Sequence, residues 1–483
     1  MFPKFVLLWT DAVMWALVVA MLVYAGFVQR RAPLKASWAR VFRDAPAFAS
    51  AIVLALCLVV TLLDSVHFRR ALPSSAAAGA AAAYDTRTQS VLDALLSGLI
   101  ESREATYSRP LAYQSFTLQS LSIDGEMRRA PPRLLHAGVH LKDPATEWAA
   151  DITQRVVLGL LIGALTGALL WAAVVFALAR RHRLSWREAA AQVWRDETVL
   201  RWRAGLFTMF ALCLLAAPAA MLMNDYHLLG TDRTGNDVFY QALKSIRTAF
   251  VIGTLATLAT LPLAMALGLM AGYFKGWVDE AIQYFYTVLS SVPNVLLIAA
   301  CVLMVQVYLD KHPELFETGA ERADLKLFLL CAILGLTGWA GLCRLLRAEA
   351  LKLRELEFVQ AAVAFGVGPW RIILRHLMPN VMHLVLITTV LEFSGLILYE
   401  AVLSYVGVGV DPSMNSFGGM INLARSEMSR DPVVWWSFAA AFGFMVTLVL
   451  AANFFADGVR DAFDPRARVF RARRPAAAAA SVD

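Results

Sequence analysis

The stretch EFVQAAVAFGVGPWRIILRHLMPN, residues 357–380, lies between two long apolar runs and predicts two short helices joined by a turn. Four apolar residues recur at the spacing of one helical face, namely Phe358, Ala361, Ala362 and Phe365. Gly366 suits a helix C-terminal cap, and Pro369 suits the first turn of a second helix, which Pro379 is expected to end. Such a unit either anchors the chain at a membrane surface or fills a groove in a soluble partner.

The composition around this stretch indicates an integral membrane protein. The chain has 483 residues, of which 59% are hydrophobic and 17% are charged, whereas soluble domains average about 45–50% and about 25%. A bilayer core of about 30 Å requires roughly 20 apolar residues per helix. Nine runs approach that length, at 5–28, 46–66, 156–178, 205–223, 248–273, 285–308, 326–343, 384–406 and 435–456. We therefore expect an all-α, polytopic membrane helical bundle of about nine spans.

The distribution of Lys and Arg predicts the topology. Four basic segments fall on one side of the membrane if the N-terminus is outside and the C-terminus is cytoplasmic, as the positive-inside rule requires. They are residues 30–43, 180–203, 344–375 and 460–474. The loop 67–155 is too long for its charges to count. This topology places residues 357–380 at the cytoplasmic surface.

A resemblance decides between an anchor and a docking element. The run QAAVAFGVGPWRIILRHLMP, residues 360–379, resembles the EAA loop of binding-protein-dependent ABC importer permeases. The resemblance implies that residues 354–379, here called the docking loop, enter a cleft of an ATPase subunit. It implies ATPase-coupling roles for Glu357, Phe358, Gln360, Ala361, Ala362, Phe365, Gly366 and Pro379. Gln360 departs from the motif, which has Glu at that position.

Three further stretches resemble the C-type subunit of oligopeptide and dipeptide (peptide/nickel) permeases. They are LLGTDRTGNDVFYQALKSIRTAFVIG (228–253), YEAVLSYVGVGVDPSMNSFGGMI (399–421) and NFFADGVRDAFDPR (453–466). The family-motif positions are Gly230, Thr231, Asp232, Asp237, Gly407, Asp457, Arg460, Asp461 and Asp464. From the residues alone, Asp232 and Gly235 suit a turn and Asp237 suits a helix cap. Arg460 has the spacing to pair with Asp457 and Asp464 on a helix surface.

The resemblance also implies a domain organisation. A type I ABC importer transmembrane core would occupy residues 205–466, with a transmembrane type-1 domain at about 247–457, and the rest would be an N-terminal extension. That extension divides into two spans (1–66), an extracytoplasmic loop or small domain (67–155), and a third span with a basic cytoplasmic loop (156–204). An Ala-rich tract, 74–84, suits a linker, and residues 467–483 suit a disordered cytoplasmic tail.

The same resemblance implies a non-catalytic subunit of an ATP-driven importer for peptides or similar small solutes in a bacterial inner membrane. Its partners would be a second permease subunit, two cytoplasmic ATPase subunits, an extracytoplasmic solute-binding protein and membrane lipid, with no nucleic acid. The sequence contains no Gly-Lys dipeptide and hence no phosphate-binding P-loop. We therefore expect ATP and Mg²⁺ to bind the partner subunits and no cofactor or metal to bind this chain.

The sequence also bears on two other classes of function. An ion-gradient-driven secondary transporter would use Glu392 and Glu400 in a translocation path or gate, since ionisable groups at membrane depth face a cavity or a partner. A structural hydrogen-bonding role for these carboxyls is equally compatible with the sequence. A membrane enzyme is disfavoured, because HExxH and GxSxG motifs are absent and the eight histidines do not cluster. No catalytic residue is predicted.

Overall fold

The computed structural model describes residues 4–71, 84–123, 126–198 and 200–463. Most of the predicted Ala-rich linker, the motif residue Asp464 and the predicted tail 467–483 lie outside the described residues. We call the membrane face that carries the docking loop the proximal face, and the opposite one the distal face.

Helices long and apolar enough to cross a membrane number eight among the described residues, or nine if one bent pair counts as a single span. They are α1 (Trp9–Arg30), α3 (Ala45–Asp64), α6 (Pro144–His182), α8 (Trp202–Leu222), α9 (Val238–Phe274), α11 (Asn294–Lys311), the bent pair α12 (Gly319–Gly338) and α13 (Ala340–Arg354), the continuous segment Pro369–Tyr405, and α18 (Trp436–Phe463). The prediction of a helical bundle with about nine spans is confirmed.

Shorter elements connect these spans. The helices are α2 (Ala32–Val41), α4 (Val91–Leu95), α5 (Ser97–Glu101), α7 (Trp186–Trp194), α10 (Gly276–Ser291), α14 (Glu357–Ala364), α15 (Pro369–Ile372), α16 (Met378–Tyr405) and α17 (Phe417–Glu427). The strands are β1 (Lys4–Val6), β2 (His67–Arg69) and β3 (Gln89–Ser90) in one antiparallel sheet, and β4 (Gln119–Ile123) and β5 (Glu126–Ala130) in a hairpin. The helical prediction missed these strands, which lie on the distal face.

The predicted span 285–308 is wrong in its first third. The helix breaks at Val292 and Pro293, so residues 285–291 belong to α10 and the spanning helix α11 begins at Asn294. Proline disfavours the helical conformation of the residue before it, and Val292 is extended, with φ −89° and ψ 133°.

Pro379 does not end the second helix, contrary to the prediction. The chain passes from α15 through a π-helical stretch, Ile373–Leu377, into α16. The Met378 N–H donates to the carbonyl of Ile373, and such a widened turn accommodates a proline that has no N–H to donate. The Asn380 side chain donates to the His376 carbonyl at 2.6 Å. A single helical segment therefore leads from the docking loop through the membrane.

Helix α9 lies at the centre of the bundle and packs against α3, α12, α13 and α16. Small residues permit its close approach to α13: a Cβ at Gly268 would lie 2.9 Å from the Cys343 carbonyl oxygen, and one at Gly272 would lie 2.5 Å from the Ala350 Cβ. Small residues of this kind let two membrane helices approach closely.

Helix α3, which corresponds to the second predicted span, packs on the central helices of the bundle. The permease core expected from the sequence began only at residue 205. Helix α3 contacts α9 and α18, whereas α8 packs mainly on α6 and α3. Helices α6 and α8 form a peripheral hairpin in which Gly159, Gly163 and Gly167 face α8; a Cβ at Gly163 would lie 2.7 Å from the Cys213 carbonyl oxygen. The Phe48 and Trp202 rings lie 5.5 Å apart, which places the α6–α8 connector on the proximal face with the start of α3.

Candidate functional site

The docking loop begins with a short helix that ends in a defined cap. Helix α14 ends at Ala364, and Gly366 follows with φ +75°. The Gly366 N–H donates to the Val363 carbonyl at 2.9 Å, and the Val367 N–H donates to the Ala362 carbonyl at 3.0 Å. These two bonds form a Schellman motif, for which glycine is the favoured residue. Gly366 thus has the capping geometry that the sequence predicted.

The docking loop presents an apolar surface that the chain does not cover. Within α14 only Val359 is buried, while Phe358 is 45% exposed and Phe365 is 87% exposed. Trp370 and Leu374 continue this surface beyond the turn. Of the predicted coupling residues, Ala362 is half-buried, and the exposed ones are Glu357, Phe358, Gln360, Ala361, Phe365, Gly366 and Pro379. A contiguous exposed apolar surface of this kind marks an interaction site.

Three contacts attach the docking loop to the proximal end of α9. Arg354 Nη1 donates to the Tyr273 carbonyl at 2.8 Å, and Lys275 Nζ lies 2.9 Å from Glu355 Oε1. Through its hydrogen bond and charge, Lys275 holds the pKa of Glu355 below its usual value. The ring centroids of Phe274 and Trp370 lie 5.9 Å apart. Sequence reasoning did not identify Lys275, because it lies 80 residues from Glu355.

Gln360, the departure from the EAA motif, uses its amide as a donor. Its Nε2 donates to the backbone carbonyl of Glu355 at 3.2 Å, an interaction that an ionised glutamate cannot make. The side chain is otherwise exposed. Gln360 therefore helps to close the turn between α13 and α14 without an added negative charge.

On the distal face, Gly230 and Thr231 of the 228–253 motif lie where three segments of the chain contact one another. Gly230 has φ +73°, and a Cβ there would lie 2.4 Å from the Ser108 carbonyl oxygen. Thr231 is buried and donates to the Thr106 carbonyl at 2.9 Å. Trp436 Nε1 donates to the Thr231 carbonyl at 2.9 Å. This junction, here called the distal knot, joins the segment between α3 and α6, here called the inserted segment, to the starts of α9 and α18.

The acidic residues of the same motif shape the backbone. Asp232 Oδ1 accepts the N–H of Thr234 at 2.8 Å and that of Asn236 at 2.9 Å. Gly235 adopts φ +78°. Asp237 Oδ1 accepts the Tyr240 N–H at 2.9 Å and caps α9. The residues form the turn and the cap that their types predict.

A buried His227 links the distal knot to the inserted segment. Its Nδ1 lies 2.8 Å from Asp237 Oδ2, and its Nε2 lies 3.6 Å from Glu104 Oε1. Burial alone would lower the pKa of His227, but the hydrogen bond to Asp237 and the negative charges of Asp237 and Glu104 outweigh burial and raise the pKa from 6.5 to about 9. Burial alone would raise the pKa of Glu104. His227 and the backbone N–H donors of Leu135, His136 and Ala137 outweigh burial and lower this pKa to about 2.

We expect the cluster of His227, Asp237 and Glu104 to make the stability of the distal knot fall at alkaline pH. The folded pKa of His227 lies above the unfolded value, so its stabilising contribution is complete below pH 6.5 and is lost as the pH rises through about 9. The loss is at most about 3 kcal/mol. The stabilising contribution of Glu104 has the opposite pH dependence. It is complete above pH 4.5 and is lost as the pH falls through about 2. Between pH 6.5 and about 9, the thermal unfolding temperature of the full chain should fall less in His227→Gln than in the parent, and an unchanged slope would contradict the assignment.

The two membrane carboxyls lie in different surroundings. Glu400 is 1% exposed and accepts a hydrogen bond from Ser404 Oγ at 2.6 Å. The carboxylate lies beside the start of α17, where an ideal Cβ at Gly418 would lie 2.9 Å from Glu400 Oε1 and where a helix N-terminus favours negative charge. Glu392 instead lies on an exposed side of α16. Sequence reasoning missed Gly418, where a Cβ would lie 2.5 Å from the Ser404 Cβ.

The remaining family-motif residues lie at helix ends. Gly407 has φ +86° and follows α16, where the Val408 N–H donates to the Leu403 carbonyl at 3.0 Å. Asp457, Arg460 and Asp461 are exposed on the last turns of α18. Within the described residues Arg460 forms no ion pair, so the pairing with Asp457 that its spacing allows is not observed; the buried face of that turn packs Gly458 against Ala47.

Comparison with known proteins identifies the class to which this architecture belongs. Residues 264–469 match the family described as "Binding-protein-dependent transport system inner membrane component". The oligopeptide transport system permease protein OppC of Haemophilus influenzae is 32% identical over 250 residues, which are 52% of this chain and 74% of that protein. The glutathione transport system permease protein GsiD of Pectobacterium atrosepticum is 30% identical over 301 residues, covering 59% of this chain and 92% of that protein. The peptidoglycan transport system permease protein YejE of Agrobacterium fabrum is 34% identical over 258 residues, covering 53% of this chain and 61% of that protein.

The chain belongs to the binding-protein-dependent transport system inner membrane components, and it is a permease subunit of an ABC importer. The family resemblance recognised in the four motifs is confirmed. The family match begins inside α9 and includes the docking loop.

Proposed function

We propose that this chain carries short peptides or similar small solutes inward, and that the docking loop transmits the motion of an ATPase to the spans. The observation that carries the proposal is the docking loop itself: an exposed apolar surface held to the end of α9 by Arg354 and Lys275. A partner that moves this loop moves the central helix of the bundle with it. Two arrangements of the spans, inward-open and outward-open, would then alternate.

The partners proposed are a second permease subunit, two cytoplasmic ATPase subunits and an extracytoplasmic solute-binding protein. The proximal face would be cytoplasmic in a bacterial inner membrane, with the N-terminus outside. ATP and Mg²⁺ would bind the ATPase subunits, and this chain would catalyse no reaction. The choice of peptides as the solute class rests on the names of matched relatives, which include oligopeptide and dipeptide permeases.

The test of this function is uptake by vesicles that contain the chain with its co-expressed partners. Uptake of a labelled peptide should require ATP and should be unaffected when the proton gradient is collapsed. Uptake in ATP-free vesicles under an imposed proton gradient would overturn the proposal in favour of a secondary transporter that uses Glu392 and Glu400.

We expect Gln360→Glu to be tolerated. Because the side chain is exposed, the lost hydrogen bond to the Glu355 carbonyl should cost no more than about 0.5 kcal/mol. ATP-driven uptake should remain within about twofold of the parent. Loss of assembly with the ATPase subunits, measured by co-purification, would contradict docking through this surface.

A further inference from the structure

Among the residues that the structure describes, α1 buries side chains against the spanning helices along its distal half. Thr10, Asp11 and Met14 are buried, whereas each residue from Val19 to Phe27 is exposed. Leu22 is 63% exposed and Val23 is 68% exposed. Because a packed helix buries at least one stripe of its surface, the proximal half of α1 must stand away from the bundle.

Polar contacts hold the distal half in place. Arg247 Nη2 of α9 lies 2.6 Å from Asp11 Oδ1, and His67 Nδ1 lies 2.7 Å from Asp11 Oδ2. The Thr10 N–H donates to Asp324 of α12 at 3.0 Å. Helix α1 thus contacts α9 and α12 directly near its distal end, whereas its proximal end reaches the bundle through α2, which packs on α18.

The separation leaves a crevice of about 380 Å³ among α1, α3, α9, α16 and α18. Its lining is predominantly apolar and includes Leu17, Met21, Leu54, Leu258, Leu261 and Phe393. Met21 lies nine residues before Arg30, which is about 13 Å along a helix. That length is close to half of a bilayer core of about 30 Å. The crevice therefore lies at the depth of acyl chains in the proximal leaflet.

A basic junction lies at the proximal end of α1. Arg30, Arg31 and Lys35 are exposed, and none of them forms an ion pair within the part of the chain that the structure describes. The Arg31 guanidinium lies 5.2 Å from the Phe27 ring centroid. Nearby, Trp38 Nε1 donates to the Tyr24 hydroxyl at 3.2 Å, and Trp and Tyr are enriched at the headgroup level.

We propose that this crevice is a binding site for one anionic phospholipid of the proximal leaflet. One acyl chain would lie against Leu17 and Met21, and the phosphate would contact Arg30, Arg31 and Lys35. Clusters of basic side chains beside a spanning helix favour anionic lipid headgroups. The positive charge favours such a lipid over an apolar helix of another subunit, which would leave these three cations without partners.

The test uses the purified full chain and two lipids, dioleoylphosphatidylglycerol and dioleoylphosphatidylcholine, with retained lipid counted by native mass spectrometry. The double variant Arg30→Gln with Arg31→Gln should weaken retention of the anionic lipid by about tenfold. The control is Arg181→Gln with Arg183→Gln, which removes the same charge from exposed positions on the same face and should retain the lipid. Met21→Trp, at a half-exposed position, should fill the crevice and reduce retention of both lipids.

Three results would overturn the proposal. The first is equal retention of the anionic lipid in all variants. The second is equal loss in the control, which would show a diffuse attraction to the basic face. The third is a photoreactive residue at Leu22 that crosslinks to a protein subunit rather than to lipid in the assembled importer. None of these results depends on which solute the importer carries.

Discussion

Ala361→Arg is expected to abolish ATP-driven transport while the chain folds normally. Ala361 is exposed on α14, so the substitution should change the stability of the chain by no more than about 0.5 kcal/mol. In the assembled importer, a charge placed in a buried apolar contact costs about 3–5 kcal/mol when it has no partner. Transport should therefore fall by at least about 100-fold, measured as peptide uptake by vesicles with ATP. ATP hydrolysis by the ATPase subunits should lose its dependence on transported solute.

The matched control is Ala191→Arg on α7, which adds the same side chain at an exposed position on the same face. It should leave uptake unchanged. Ala361 is a cleaner position for this experiment than Gly366, where the backbone has φ +75° and any side chain adds strain. Normal uptake by Ala361→Arg, or an equal defect in the control, would contradict coupling through α14.

The second large effect is expected at the distal knot, in Gly235→Ala. A Cβ at this position would lie 1.8 Å from the Glu104 carbonyl oxygen, and the backbone has φ +78°. Steric displacement and left-handed strain together should destabilise the knot by about 3 kcal/mol or more. The measurement is thermal unfolding of the purified chain, with limited proteolysis at Arg103 as a reporter of local opening.

Gly276→Ala is the control for Gly235→Ala. Gly276 has φ +57°, and no atom lies within 4 Å of its Cβ position. The control therefore carries the backbone strain without the collision, and it should cost about 1 kcal/mol. Equal losses of thermal stability in the two variants would show that the contact with the Glu104 carbonyl does not hold the inserted segment.

The spans and the cap of the docking loop were predictable because their signals are local. A run of apolar residues has to satisfy its backbone hydrogen bonds within itself, and Gly366 acts on its own neighbours. Pro293 could have revealed the break before α11, since proline removes a donor from a helix interior. Pro379 carries the same signal, yet there the π-helical stretch absorbs it. Proline alone therefore did not distinguish a break from a widened turn.

The pairing of distant segments was not predictable from one sequence. Arg247 contacts Asp11 across 236 positions, and Tyr107 contacts Glu427 across 320 positions. Likewise, the position of α3 on the core depends on which of several similar apolar helices fits the surfaces of α9 and α18. Both α3 and α8 are strongly apolar helices of spanning length, so hydropathy does not distinguish them.

The length of helix α9 determines how far one of its ends moves when the helix tilts about the other. It extends from its cap at Asp237 in the distal knot to Phe274 beside the docking loop, and it runs through Pro262 without ending. Its 37 residues give a rigid arm of about 56 Å. With the distal end as the pivot, a tilt of about 5° displaces Phe274 by about 5 Å, which is close to one helical turn. If the docking loop transmits motion as proposed, a small change of angle at the distal knot therefore corresponds to a displacement of several ångströms at the docking loop, and the contacts of the knot would act as the pivot.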